Sequence, residues 1–295
     1  MHCLKEKWLN LLGNSAYEIQ ETPLKFIKKY EYEDFDLEIY TQRNGMKTFQ
    51  RVMIAFPKNL KTPCPVVITP YYFPEGMLGF DPETGAPFKE YGEIFMMKDL
   101  VKRGYMTICA DAYHLTYTEN EHGKIGFDLW QEAGEKLLAD NPQWTGMGKL
   151  VSDTKLLIDI ACADPRADSS RIGIAGHSLG GKMAFYTGCL DDRIKVIVCN
   201  DFGIGWRQTN WHNIWYWGDK VHEFIKTGTE HSELLSVADK PFFLIAGQYD
   251  DDTSYEIMLK ASVNAELKFV NHATGHIPPA WALEEAYDFL DNWLQ

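Results

Sequence analysis

The chain has 295 residues, 45% hydrophobic and 14% aromatic, enough to bury a large core in one α/β domain with an insertion. Charged residues make up 24%, so neither disorder nor a low-complexity repeat fits. A formal charge of −13 without a basic stripe argues against nucleic acid and anionic membranes as partners, and no run approaches the roughly 20 apolar residues of a bilayer span.

The opening residues, Met1-His-Cys-Leu-Lys-Glu-Lys-Trp, place charges where a signal peptide carries its apolar segment, so a cytoplasmic protein is expected. Six cysteines show neither a C-x-x-C pair nor zinc spacing, and Cys109 and Cys199 fall within apolar runs as small buried hydrophobes do. Leu4, Trp8, Leu11 and Leu12 recur at helical spacing, which predicts a short amphipathic helix packed on the body. Two extended segments follow, Lys25–Tyr40 and Thr48–Pro57, with Asn44-Gly45 between them as a hairpin signal.

From there short apolar runs alternate with helical stretches. Val66–Thr69 precedes a helix near Lys89–Arg103, and Met106–Ala110 precedes helical stretches reaching Asp164. Arg171–Ala175, a helix over Leu179–Cys189 and Ile194–Cys199 come next. Pro241–Ala246, a helix near Ser254–Ala261, Leu267–Val270 and a last helix near Pro279–Trp293 close the chain. This order predicts a mostly parallel central sheet with helices on both faces, preceded by antiparallel strands. Continuous apolar strands such as Phe-Phe-Leu-Ile-Ala fit burial on both faces. The Trp-rich stretch 202–240 breaks the alternation and reads as an inserted cap within a single domain, 1–295.

The most informative string is Arg171-Ile-Gly-Ile-Ala-Gly-His-Ser-Leu-Gly-Gly181, a buried strand running through Gly176-His177-Ser178-Leu179-Gly180 into a helix. In G-x-S-x-G the serine occupies a strained turn above the sheet, and side chains at the glycines would collide with neighbouring backbone. The Leu179 N–H, at the new helix's start, is then a candidate oxyanion donor. The same stretch matches G-x-x-x-x-G-K through Lys182, but Met183 stands where a phosphate loop needs Ser or Thr for magnesium.

These residues, with the approach segment Asp164-Pro165-Arg166-Ala-Asp168-Ser-Ser-Arg171, resemble the α/β-hydrolase superfamily, especially its dienelactone-hydrolase-like and acetyl-xylan-esterase-like serine esterases. The resemblance implies the α/β-hydrolase fold, no cofactor, a small-molecule ester substrate, and the order serine, acid, histidine. Gly247-Gln-Tyr-Asp250 after an apolar strand looks like the acid turn, so Asp250 is the expected acid. Asp251 and Asp252 adjoin it, a capping role suits Asp252, and Asp201 at the end of the preceding strand is the outside candidate. Gly275-His276 before the last helix implies His276 as base. His272 and His276 form H-x-x-x-H, but on a loop, where they would not share a face as zinc ligands do, so no metal is expected.

One departure is at Thr69-Pro70-Tyr71-Tyr72, where relatives carry His-Gly and Pro70 has no N–H to donate. Either the Tyr71 or Tyr72 N–H or a tyrosine hydroxyl then completes the oxyanion hole, with Tyr71 favoured by resemblance to a cocaine-esterase-like branch. Dienelactone hydrolases proper carry cysteine where Ser178 stands. The expected substrate contacts are His177 and the cap residues Trp206, Trp211 and Trp215. With Tyr216 and Trp217, these rings would stack on sugars or aromatic acyl groups, or else form cap core or a homo-oligomer interface. The expected activity is hydrolysis of a short-acyl ester such as an acetylated carbohydrate. The alternatives are a peptidase on small peptides or an idle small-molecule binder.

Overall fold

The computed structural model describes residues 2–13, 23–58, 63–88, 94–118 and 126–295. Its centre is a nine-stranded sheet in the order β1-β2-β3-β5-β4-β6-β7-β8-β9. The antiparallel part is β1 (Lys25–Glu31), β2 (Phe35–Arg43) and β3 (Phe49–Pro57). The parallel part is β4 (Cys64–Ile68), β5 (Met106–Ala110), β6 (Ala167–His177), β7 (Ile194–Asn200), β8 (Phe242–Ala246) and β9 (Leu267–Asn271), with β3 joining β5 antiparallel. This is the mostly parallel sheet that the alternation predicts, in the α/β-hydrolase architecture that the resemblance implies.

The helices are α1 (His2–Leu12), α2 (Pro74–Leu78), α3 (Met96–Lys102), α4 (His114–Tyr117), α5 (Phe127–Asp140) and α6 (Gly146–Ala163). They continue with α7 (Leu179–Leu190), α8 (Lys220–Thr227), α9 (Ser232–Ala238), α10 (Asp252–Leu259) and α11 (Ala280–Leu294). Two expectations shift. The first extended segment is two strands, because the chain turns at residues 32–34, where the Tyr32 N–H reaches the Phe35 carbonyl at 2.9 Å. The helix expected from Lys89 begins at Met96, and residues 89–93 lie outside the described residues.

Alternation along the buried strands feeds two core layers. On β4, Val66 and Ile68 join the layer under α5, α6 and α7, while Val67 joins the layer under α3 and α11. In the order β5-β4-β6-β7 the crossover leaving β4 runs to β5 on one side, and the crossover leaving its neighbour β6 runs to β7 on the other. The crevice at the carboxyl ends of β4 and β6 is therefore the topological switch point, where such sheets bind ligands. Among the described residues no helix is long and apolar enough to cross a membrane.

Candidate active site

The turn from β6 into α7 carries Ser178 at φ 54°, ψ −117°, a strained conformation for a non-glycine residue. The flanking glycines are required sterically. A Cβ on Gly176 would lie 2.1 Å from the Gly180 carbonyl oxygen, and one on Gly180 would lie 2.0 Å from that of Pro70. Asn200, at the end of β7, straps the turn twice: its carbonyl accepts the Ser178 N–H at 2.9 Å, and its side-chain amide meets His177 Nδ1 at 2.8 Å. No sequence signal singled out Asn200.

His276 lies in the loop between β9 and α11, partly exposed, with Nδ1 hydrogen-bonded to Asp201 Oδ2. A carboxylate at Nδ1 fixes the tautomer with its proton there and leaves Nε2 as the basic nitrogen. Asp201 is fully buried just beyond β7, and its other oxygen accepts the N–H groups of Tyr249 at 2.6 Å and Asp250 at 3.2 Å. A Cβ on Gly247 would come within 2.7 Å of the Asp201 carboxyl carbon, so that glycine makes room for the acid. The rings of His177 and Tyr249 pack on His276 at 4.4 and 5.0 Å between centroids.

The expectation for Asp250 therefore gives way to Asp201. Asp250 is also fully buried, but its oxygens are occupied by the N–H groups of Phe202, Gly203 and Ile204 and by the Ser254 hydroxyl, at 2.8–2.9 Å. Neighbouring parallel strands each end in a carboxylate, and only the loop geometry selects which one meets the imidazole. Asp251, not Asp252, caps α10, accepting the Thr253 N–H at 3.0 Å.

The oxyanion candidates divide. Leu179 is the first residue of α7, so its N–H is among those without an intrahelical partner. Tyr71 is buried with its ring between Gly76 and Gly180, which brings the segment after β4 against the serine turn. Tyr72 turns the other way, with its ring 5.9 Å from Trp130 and 6.1 Å from His114, while its carbonyl accepts the Ala112 N–H. Arg51 pins this region from beneath, bridging Glu75 of α2 at 2.5–2.7 Å and Asp111 at 3.0 Å.

The expected substrate contacts are corrected. His177 is buried and held neutral, burial and the neighbouring His276 pushing its pKa well below the usual value, so it supports His276 from behind. Trp206 and Trp211 are buried with their indole N–H groups on the carbonyls of Thr229 and Gly203, at 2.7 and 2.6 Å. Trp215 is buried against Phe127 and Trp130, and its carbonyl accepts the Tyr113 hydroxyl at 3.1 Å. These rings are the core of the 202–240 segment, because an indole offers more apolar area than an exposed loop can leave in water. Lys182 is likewise buried. It lies 4.7 and 5.0 Å from the Trp211 and Tyr216 ring centres, and burial pulls its ammonium down to about 7. His272 hydrogen-bonds Thr274 through Nδ1 at 2.6 Å, and among the described residues no group of three metal-ligating side chains converges.

Comparison with known proteins follows this geometry. Residues 84–199 match the dienelactone hydrolase family. YtaP of Bacillus subtilis (strain 168), whose hydrolase name is provisional, is 27% identical over 216 residues, covering 66% of this chain and 67% of its own. The acetyl xylan esterase of Paenibacillus sp. R4 superposes with a TM-score of 0.68 at 16% identity, covering 100% of this chain and 95% of that one. Acetyl xylan esterase 1 of Thermoanaerobacterium sp. JW/SL YS485 gives 0.65 at 13%, covering 98% and 97%. A glucuronoyl esterase from Solibacter usitatus gives 0.62 at 13%, covering 97% and 91%. At these identities the solved structures speak for the fold.

Proposed function

We propose that this chain, which has the α/β-hydrolase fold and a segment matching the dienelactone hydrolase family, is a serine hydrolase cleaving a small carboxylic ester through an acyl-enzyme. The observation that carries this reading is the Asp201 carboxylate on Nδ1 of His276, in a molecule whose Ser178 sits on a strained strand-to-helix turn. In the proposed reaction His276 Nε2 takes the Ser178 hydroxyl proton as the oxygen attacks the ester carbonyl. Asp201 stabilises the imidazolium, and the Leu179 N–H with a donor from the Tyr71 segment holds the oxyanion. His276 then protonates the departing alcohol, and a water activated by the same nitrogen releases the acid.

The substrate class is a short-acyl ester, with acetylated carbohydrate favoured by the names of the acetyl xylan esterases that share the fold. The buried tryptophans supply no stacking face, so recognition falls to the rim around Ser178 and His276. The test is hydrolysis of p-nitrophenyl acetate and acetylated xylo-oligosaccharides by wild type and Ser178→Ala, with fluorophosphonate labelling read by intact mass. Wild type should turn over and take one label, and the variant should do neither while remaining folded. Turnover by Ser178→Ala at the wild-type rate refutes the proposal.

A further inference from the structure

Two buried carboxylates, Asp201 and Asp250, lie in the loops that follow the neighbouring strands β7 and β8, and each is held by the other's loop. Asp201 Oδ1 accepts the N–H groups of Tyr249 and Asp250. In return Asp250 Oδ2 accepts those of Phe202 and Gly203, both at 2.9 Å, and Asp250 Oδ1 accepts the Ile204 N–H and the Ser254 hydroxyl, both at 2.8 Å. The three residues that Asp250 grips directly follow Asp201, whose φ of 41° is a left-handed conformation that a non-glycine residue keeps only where its surroundings impose it. With Oδ1 engaged by the 249–250 backbone, Oδ2 of Asp201 is left for Nδ1 of His276.

We infer that Asp250 is a positioning residue: through this reciprocal clasp it fixes the chain after β7 so that Asp201 presents one carboxylate oxygen to His276. The kinetic consequence rests on the serine-hydrolase reading, whereas the aim of Asp201 at His276 does not depend on what the site cleaves. Asparagine at 250 cannot restore the clasp. Its single acceptor oxygen serves two of the four donors, and its amide N–H groups face the other two. The charges facing Asp250 are Asp201, from β7, and the Lys182 ammonium, from α7.

The experiment compares wild type, Asp250→Asn and Ser254→Ala as full chains. The readouts are p-nitrophenyl acetate kinetics across pH, the low-field proton resonance of His276 Nδ1–H, and thermal unfolding. Asp250→Asn should lower kcat about 10²-fold with KM little changed, the scale expected when a catalytic group is misplaced by about 1 Å. The low-field resonance should shift or broaden, because Nδ1–H loses part of its carboxylate partner. Ser254→Ala keeps the charge and three of the four bonds, so it should give the same changes on a smaller scale in a folded protein. If either folded variant keeps the wild-type kcat and resonance and only its unfolding temperature falls, Asp250 is a loop cap and the proposal is wrong. Wild type inactive on every ester would sink the hydrolase reading instead, and the resonance would still decide the clasp.

Discussion

His231, at the start of α9, makes the 202–240 segment sensitive to acid. It is fully buried, its ring centre lying 3.9 Å from that of Trp206 and 4.9 Å from that of Trp211. Nδ1 donates to the Ile204 carbonyl, and the Tyr186 hydroxyl, which accepts the Trp217 indole N–H at 3.1 Å, lies 2.5 Å from Nε2. The neutral ring satisfies both neighbours, and burial pulls its pKa from 6.5 down to about 3. Because the folded value lies below the unfolded one, the unfolded chain binds the proton first. The histidine's contribution to stability is complete above pH 6.5 and is lost as pH falls toward 3. Linkage makes that loss about 2 kcal/mol between pH 7 and pH 5, and about 4 kcal/mol by pH 3. Urea unfolding of wild type and His231→Phe at pH 7 and pH 5 measures it. The variant starts less stable, since its hydrogen bonds are gone, but should lose about 2 kcal/mol less than wild type over that interval. Equal losses in the two proteins would refute the argument, and the comparison cancels His177 and the carboxylates, which titrate in both.

The other predictions concern the serine turn and its partners. Asp201→Asn should lower kcat by about 10⁴-fold, as loss of the acid does in Ser-His-Asp triads, while Asp251→Asn, which disturbs the α10 cap and a surface contact with Gln208, should change kcat by less than about threefold. Matching kinetics in the two variants would remove Asp201 from the mechanism. Gly180→Ala forces a Cβ against the Pro70 carbonyl oxygen and should cost about 1–3 kcal/mol in urea unfolding together with most of the activity; a variant as stable and active as wild type would show that the close approach is not needed. If the Tyr71 hydroxyl holds the oxyanion, Tyr71→Phe should lower kcat roughly 10²–10³-fold with KM little changed, and a silent substitution would assign that role to main-chain N–H groups.

What the sequence reveals here follows from how local each constraint is. The serine turn is legible because its geometry needs glycine at 176 and 180, and the strand and helix beside it are set by apolar patterning. The carboxylate that meets His276 is not. Asp201 and Asp250 each follow an apolar strand, and the choice depends on which loop aims an oxygen at the imidazole, a matter of long-range packing. The tryptophans of the 202–240 segment mislead for a related reason. Composition shows a concentration of aromatic area but not which element covers it, and part of the cover comes from α1, about two hundred residues earlier in the chain. The break between β1 and β2 was missed because Tyr32-Glu33-Asp34 contains neither glycine nor proline to mark it.

Trp8 gives the 202–240 segment a mechanical character. Its indole is completely enclosed among Trp206, Trp217, Tyr186 and Phe224, and its N–H donates to Glu233 of α9 at 3.1 Å. The C-terminal end of α1, the helix that carries Trp8, is tied to the body, the Leu12 carbonyl accepting the Thr145 hydroxyl at 2.8 Å. Swinging that segment outward would extract the indole, at a cost on the scale of about 3–5 kcal/mol for losing a buried tryptophan. The segment is thus riveted from outside, a wall and not a door. Traffic into the crevice must pass along its rim, and opening there should be limited to loop fluctuations that leave the rivet in place.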